Sequence, residues 1–336
     1  MKEALLWKRD DDSKVKCFLC SHRCMIPDGG RGVCMVRENQ KGTLYSLVYG
    51  KLIATNIDPV EKKPVYHFYP GHRSYSIASV GCNFRCSFCQ NWDISQMPRD
   101  HKGMIAGHDF TPENVVAEAV QNNCLSISYT YTEPTVCYEF TKDCGELARA
   151  KGLKNIYVSN GFMTREMIDD ATFLDVARID LKSFSDEFYR KVCGGRLEPV
   201  LDNLKYFKKK GIWTEVVTLI VPEQNDSDEE LTNIAEFIAN ELGDETPWHI
   251  SAFHPDYKMQ DSYPTPDETL VKAYSIGKDA GLDYVYVGNS DVHTGKDTRC
   301  PQCKEVLIKR KWFSITDNIV KEGRCPKCGH TIAGYF

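Results

Sequence analysis

The residues best suited to chemistry in this chain are cysteines. There are 15 in 336 residues, and eleven of them fall into three clusters. In "GCNFRCSFCQNW" (81–92), Cys82, Cys86 and Cys89 form a C-x3-C-x2-C pattern with no fourth cysteine close behind. A [4Fe–4S] cluster normally takes four thiolates, one per iron. Three thiolates leave one iron open, and an open coordination position is where a metal centre binds a reactant, as in catalytic rather than structural zinc sites. The competing reading is a catalytic or incomplete zinc site, although zinc cysteines usually come as C-x2-C with a second pair well downstream.

The other two clusters are quartets. Cys300, Cys303, Cys325 and Cys328 form two C-x2-C pairs separated by 21 residues. That is zinc-ribbon spacing and predicts a closed, four-thiolate structural site. Cys17, Cys20, Cys24 and Cys34 follow C-x2-C-x3-C-x9-C, with His22 inside. Zinc as a structural staple and a second [4Fe–4S] cluster for electron transfer both accept four thiolates, with zinc the preferred reading. Of the isolated cysteines, Cys137 and Cys144 lie on one predicted helix and suit burial, as does Cys124.

These ligands need a frame to position them. The middle of the sequence alternates strand-like segments (75–80, 125–131, 155–160, 177–184, 213–222, 248–253, 283–288) with helical ones (111–123, 135–152, 164–172, 197–211, 227–243, 265–281). This alternation predicts βαβ units around a parallel sheet, an α/β fold of partial (β/α)6-type barrel. In such folds the chemistry lies at the C-terminal ends of the strands. The triplet follows the first predicted strand, Glu133 the second, and Ser159-Asn160 ends the third. Asp180 and Lys182 lie on the fourth, His254 follows the sixth and Asn289 the seventh. The expected organisation is a cysteine-rich segment over 1–73, the catalytic core over 74–294 and a zinc-ribbon module over 295–336.

Composition narrows the class. With 42% hydrophobic and 26% charged residues, a net charge of -5 and a pI near 6.0, the chain reads as a soluble globular protein. That balance argues against nucleic acid or an anionic membrane as partner. The opening "MKEALLWKRDDDSKVK" is too charged for a signal peptide, and no apolar run approaches the ~18 residues of a membrane span. The expected location is the cytoplasm, where paired cysteines bind metal rather than form disulfides.

"CNFRCSFC", with an aromatic before its last cysteine, resembles the signature of the radical S-adenosylmethionine (SAM) superfamily. The resemblance extends through "DPVEKKPVYHFYPG" (58–71), "YTYTEPTV" (129–136), "VSNGF" (158–162), "IDLK" (179–182) and "VCGGRLEPVLDNL" (192–204). Together these are similar to a subgroup related to pyruvate formate-lyase activating enzymes, the AmmeMemoRadiSam system radical SAM enzymes. The resemblance implies that Cys82, Cys86 and Cys89 ligate a [4Fe–4S] cluster whose open iron binds S-adenosylmethionine. Reductive cleavage would then give a 5′-deoxyadenosyl radical that abstracts hydrogen from a substrate.

It further implies that Phe88 sits beside the adenine. Glu133 would meet the methionyl amino group, although Tyr131 and Thr132 stand where relatives have glycines, which puts the close backbone approach in question. Asn160, Asp180, Lys182 and His254 match cofactor-binding positions. An Asp180–Lys182 salt bridge and a structural His254 are the competing readings. Cys193, ahead of Gly194-Gly195, is either a packed thiol or a participant in radical transfer. A flavodoxin or ferredoxin would be the reductant, and Memo-like and AMME-type proteins are the implied associates. A protein substrate follows from the activating-enzyme resemblance. Small-molecule or nucleotide modification, and a zinc-scaffold binding protein without radical activity, are the alternatives.

Overall fold

The computed structural model describes residues 1–10 and 13–336; Asp11 and Asp12, in the charged opening stretch, lie outside the described residues. At its centre is an eight-stranded sheet whose strands lie side by side in chain order. They are β1 (Ala54–Pro59), β2 (Arg73–Ala78), β3 (Ser126–Tyr129), β4 (Lys154–Ser159), β5 (Val176–Asp180), β6 (Trp213–Ile220), β7 (Trp248–Ala252) and β8 (Val285–Gly288). Strands β2 to β8 run parallel, and β1 adds antiparallel to the outside of β2. The strand order is linear, with β1 and β8 at its two ends.

A parallel strand covered on both faces needs apolar residues nearly throughout, and β6 ("WTEVVTLI") is buried along most of its length. The helices between the strands start where the sequence supplies caps. Thr111 caps Pro112–Gln121 in a reciprocal box with Asn114, with proline in the first turn. Thr164 and Ser227 cap Arg165–Asp170 and Asp228–Phe237 by accepting from Met167 N and Glu230 N, without the reciprocal bond.

The predicted helix over 135–152 is divided. A 3-10 turn, Pro134–Cys137, comes first and the α-helix Tyr138–Ala150 follows. The Glu133 carboxylate accepts from Thr135 N and ties that turn to the end of β3. The helix expected over 227–243 likewise finishes as a π-helical turn, Ile238–Leu242.

Residues ahead of β1 form two small antiparallel sheets. They are fixed to the core by a buried ion pair, Arg37 Nη2 to Glu139 Oε1 at 2.9 Å, and Leu5 N donates to the same oxygen at 2.7 Å. The C-terminal module is a three-stranded sheet, Thr298–Arg299, Val306–Lys311 and Ser314–Asn318. It docks on β8 through an apolar seam of Tyr66, Tyr284, Tyr286, Leu307, Ile308 and Ile332. Among the described residues no helix is long and apolar enough to cross a membrane.

Candidate active site

A cavity of about 480 Å³ opens at the C-terminal ends of the strands. Cys82, Cys86 and Cys89 form one wall, on the loop that leaves β2. This loop is fixed to the chain after β5, with Arg85 N donating to Cys193 O at 2.8 Å and Ser87 N to Val192 O at 3.1 Å. Burial raises the Cys82 and Cys89 thiols. Cys86 is lowered, first by a hydrogen bond from the fully buried Cys193 and then, against burial, by the Lys182 charge. Cys193 supports the loop from behind and is not part of the cavity wall.

Phe88 is buried in the same wall, stacked on Phe188 at 5.9 Å with the Lys182 ammonium 5.8 Å from its ring. Strand β5 sends Arg178 and Asp180 to one side, as alternation along a strand requires, and Lys182, two residues beyond its end, lines the same cavity. Lys182 Nζ lies 2.8 Å from Asp180 Oδ2, and Arg178 hydrogen-bonds the other carboxylate oxygen. Burial alone would raise Asp180, but the two cations hold it below the usual carboxylate range. The salt bridge and the cavity position are therefore both real. Arg178 was legible by carrying the Asp180–Lys182 spacing one step back along the strand.

Glu133 is buried, and burial raises its carboxyl. Oε1 accepts from Thr135 N, Thr135 Oγ1 and Ser159 Oγ, whereas Oε2 accepts only from Asn160 N at 2.9 Å. Oε2 thus has capacity for a further donor, and an ammonium suits it. Asn160 lines the cavity but its amide is occupied, with Nδ2 donating to Asn83 Oδ1 at 2.7 Å and Oδ1 accepting from Phe162 N. His254 is exposed and outside the wall; its Nε2 meets Nδ2 of Asn289, which does line the cavity, at 2.9 Å.

Tyr131 resolves the question raised by the missing glycines. It keeps a left-handed backbone, φ 63°, in a region that favours glycine and is costly for a bulky side chain. Its side chain is held by a hydrogen bond to Asp58 and by the Lys63 ammonium, 4.3 Å from its ring. Lys63 in turn pairs with Asp58 at 2.5 Å. The local backbone that glycine would allow is thus retained, with contacts from β1 and the segment after it offsetting the strain. Sequence reasoning missed this trio because Asp58 and Tyr131 are brought together only by the pairing of distant strands.

The ribbon also reaches the cavity. Phe313, at the turn between Val306–Lys311 and Ser314–Asn318, is part of its lining. Cys300 Sγ and Cys328 Sγ are 3.6 Å apart, as are Cys303 Sγ and Cys325 Sγ. With Zn–S near 2.3 Å, a zinc tetrahedron has edges of about 3.8 Å, so the residues present fit that ion.

The donor set in the cavity fits an open-iron cluster. Three thiols face the space, an under-used buried carboxylate lies beyond them, and a cation–carboxylate–cation row forms another wall. Electron-transfer and structural sites would instead be closed by a fourth ligand.

Comparison with known proteins agrees with this chemistry. The model of the radical SAM superfamily matches residues 76–238. An uncharacterized protein of Methanocaldococcus jannaschii is 48% identical over 99% of both chains. The pyruvate formate-lyase 1-activating enzyme of Escherichia coli is 24% identical, over 58% of this chain and 85% of its own. A radical SAM methyltransferase from Sphaerobacter thermophilus shares the fold, with a TM-score of 0.51 and 16% identity over 67% of this chain and 68% of that one. The chain contains a radical SAM superfamily domain over residues 76–238 and is homologous to the pyruvate formate-lyase activating enzymes.

Proposed function

We propose that this protein is a radical SAM enzyme on a partial (β/α)6-type barrel, with Cys82, Cys86 and Cys89 holding a [4Fe–4S] cluster and S-adenosylmethionine bound at its fourth iron. The observation that carries this reading is the trio of thiols facing a cavity that also presents Glu133 and the Arg178–Asp180–Lys182 row. Once reduced by one electron, such a centre supplies a 5′-deoxyadenosyl radical for hydrogen abstraction.

The chain's own residues position the reactants. Glu133 Oε2 accepts from the methionyl ammonium, and Lys182 or Arg178 takes the carboxylate while Asp180 holds both cations in place. Phe88 flanks the adenine. Asn160, whose amide binds Asn83, acts by fixing the cysteine loop. His254 acts through Asn289. The ribbon cysteines hold structural zinc, the reductant is a flavodoxin or ferredoxin, and the free thiols suit the reducing cytoplasm.

Homology to activating enzymes favours a protein substrate that offers one residue to the cavity. A small-molecule substrate is the second reading, favoured by Lys63, Tyr131 and Phe313 in the cavity lining, the first two held by Asp58. Association with Memo-like and AMME-type proteins rests on the sequence resemblance alone.

The test is anaerobic purification, iron and sulfide analysis, and reduction with dithionite in the presence of S-adenosylmethionine. The wild type forms 5′-deoxyadenosine and Cys86→Ala does not. Zinc without sulfide at the triplet, or undiminished cleavage in Cys86→Ala, would leave a zinc scaffold as the better description.

A further inference from the structure

The quartet Cys17, Cys20, Cys24 and Cys34 plays no part in the chemistry above, yet it lies against the catalytic loop. Cys17 N donates to Cys24 O at 2.9 Å, and Arg23 N to Cys20 O at 3.0 Å, folding the first three cysteines into one tight turn. Gly32 comes so close that a Cβ there would stand 3.7 Å from Cys24 Sγ, which brings the strand-turn bearing Cys34 onto the same turn.

Its sulfurs are arranged unlike the ribbon's. Among the described residues, the ribbon cysteines are the one group of three or more whose ligand atoms all lie within 4.8 Å of one another. The quartet and the catalytic triplet are both more widely set. Thiolates on a cubane each bind an iron at a separate corner, whereas thiolates on zinc share one ion and must converge. The C-x3-C spacing of Cys20 and Cys24 also recurs in Cys82 and Cys86.

Contacts to the catalytic loop are direct. His22, between Cys20 and Cys24, donates from Nε2 to Asn83 O at 2.8 Å, one residue after Cys82. Its ring packs edge-on against Phe162 at 4.9 Å, and Phe162 lies 5.1 Å from Phe84. Arg99 reaches from Val33 O, at 2.9 Å, to Phe84 O, at 3.4 Å. Gly81 has φ 103°, and a Cβ there would lie 3.3 Å from Cys34 O and 2.6 Å from Val36. The glycine ahead of Cys82 thus lets the chain around Cys34 approach to contact.

We propose that the quartet holds a second [4Fe–4S] cluster and is the point where electrons enter. The metal assignment stands on its own, and the relay role rests on the radical reading. A reduced flavodoxin or ferredoxin gives up one electron, the quartet cluster takes it, and the triplet cluster receives it in turn. No bond is made or broken and no proton moves in these steps. Cys20 and Cys24 are only half-buried, so a protein donor can reach the quartet without entering the cavity that must shelter the radical.

The test uses the full chain, reconstituted anaerobically with iron and sulfide. Wild type is expected to hold about eight irons, and both a Cys82/Cys86/Cys89→Ala variant and a Cys20→Ser/Cys24→Ser variant about four. The paramagnetic resonance of the dithionite-reduced triplet variant should not respond to S-adenosylmethionine, whereas that of the quartet variant should. Fully reduced wild type should show splitting from two neighbouring spins that the sum of the two variant spectra lacks.

Zinc and no iron at the quartet of the triplet variant would overturn the proposal. A wild-type spectrum equal to the sum of the variants would overturn the relay. Four irons in the triplet variant with none in the quartet variant would sink the radical reading and leave the quartet assignment standing. If the quartet variant misfolds, shown by loss of ribbon zinc, the triplet variant still identifies the metal.

Discussion

Acidification is expected to loosen the seam between ribbon and core, with His67 as the residue responsible. His67 is fully buried, and its Nδ1–H donates to Ala333 O at 2.7 Å while Nε2 accepts from Tyr286 OH at 2.6 Å. Tyr286 OH meets Thr298 Oγ1 at 2.8 Å, and Thr298 accepts from Arg310 at 2.7 Å. A proton on Nε2 would leave Tyr286 without its acceptor and place a cation near Arg310. Burial is the main cause that lowers His67 from 6.5 to about 4.

Because the folded value is depressed, the unfolded chain takes up a proton that the folded chain refuses. The stability is therefore complete above 6.5 and is lost as pH falls toward 4. At about 1.4 kcal/mol per pH unit the full loss is about 3 kcal/mol, and about 2 kcal/mol is gone by pH ~5. The assay is denaturant unfolding of wild type and His67→Gln at neutral pH and at pH ~5. Both proteins carry the same thiolates, so the change in their difference isolates His67. Wild type should lose about 2 kcal/mol more than the variant. Equal losses would refute the reasoning.

Gly195→Ala places a Cβ 2.3 Å from the ring of buried Phe84, so it should cost about 1–3 kcal/mol and lower iron content; an unchanged unfolding midpoint and iron count would contradict the close packing. Asp180→Asn removes the carboxylate between Arg178 and Lys182 and is expected to raise the KM for S-adenosylmethionine about tenfold, as loss of a charged hydrogen bond does; an unchanged KM would show that the row does not bind the cofactor. Cys325→Ser should release zinc and expose the Tyr66–Tyr286 seam to protease. A protected seam in the metal-free variant would show that packing alone holds the ribbon.

Much of the frame was legible because its signals are local. The helical segments read over 111–123, 164–172 and 227–243 open on Thr111, Thr164 and Ser227, which the structure shows as caps, and apolar runs such as "WTEVVTLI" marked buried parallel strands. The cysteine spacings carried their chemistry in the same way. Strand β1 was not legible, since "ATNIDP" has little strand propensity and is ordered by pairing with β2. Glu215 was missed for a similar reason: it accepts from Tyr66 N, His67 N, Trp213 and His249, and most of these partners are far away in sequence. Burial acts to raise Glu215, but His249 and the other donors bring it down to about 2. Phe313 illustrates the same limit at the site, where a hairpin turn joins the cavity only through docking of the ribbon.

The seam has a consequence for assembly. Tyr69 N donates to Tyr335 O, and Tyr335 N to His67 O, joining residues some 266 positions apart. On a ribosome, those contacts must wait until residue 335 has emerged, long after the triplet cysteines. Phe313 therefore joins the cavity lining late, after the loop that carries the three cysteines has been made. A cofactor loaded before the ribbon docks would meet a cavity that still lacks Phe313, and one loaded afterwards would meet the complete lining.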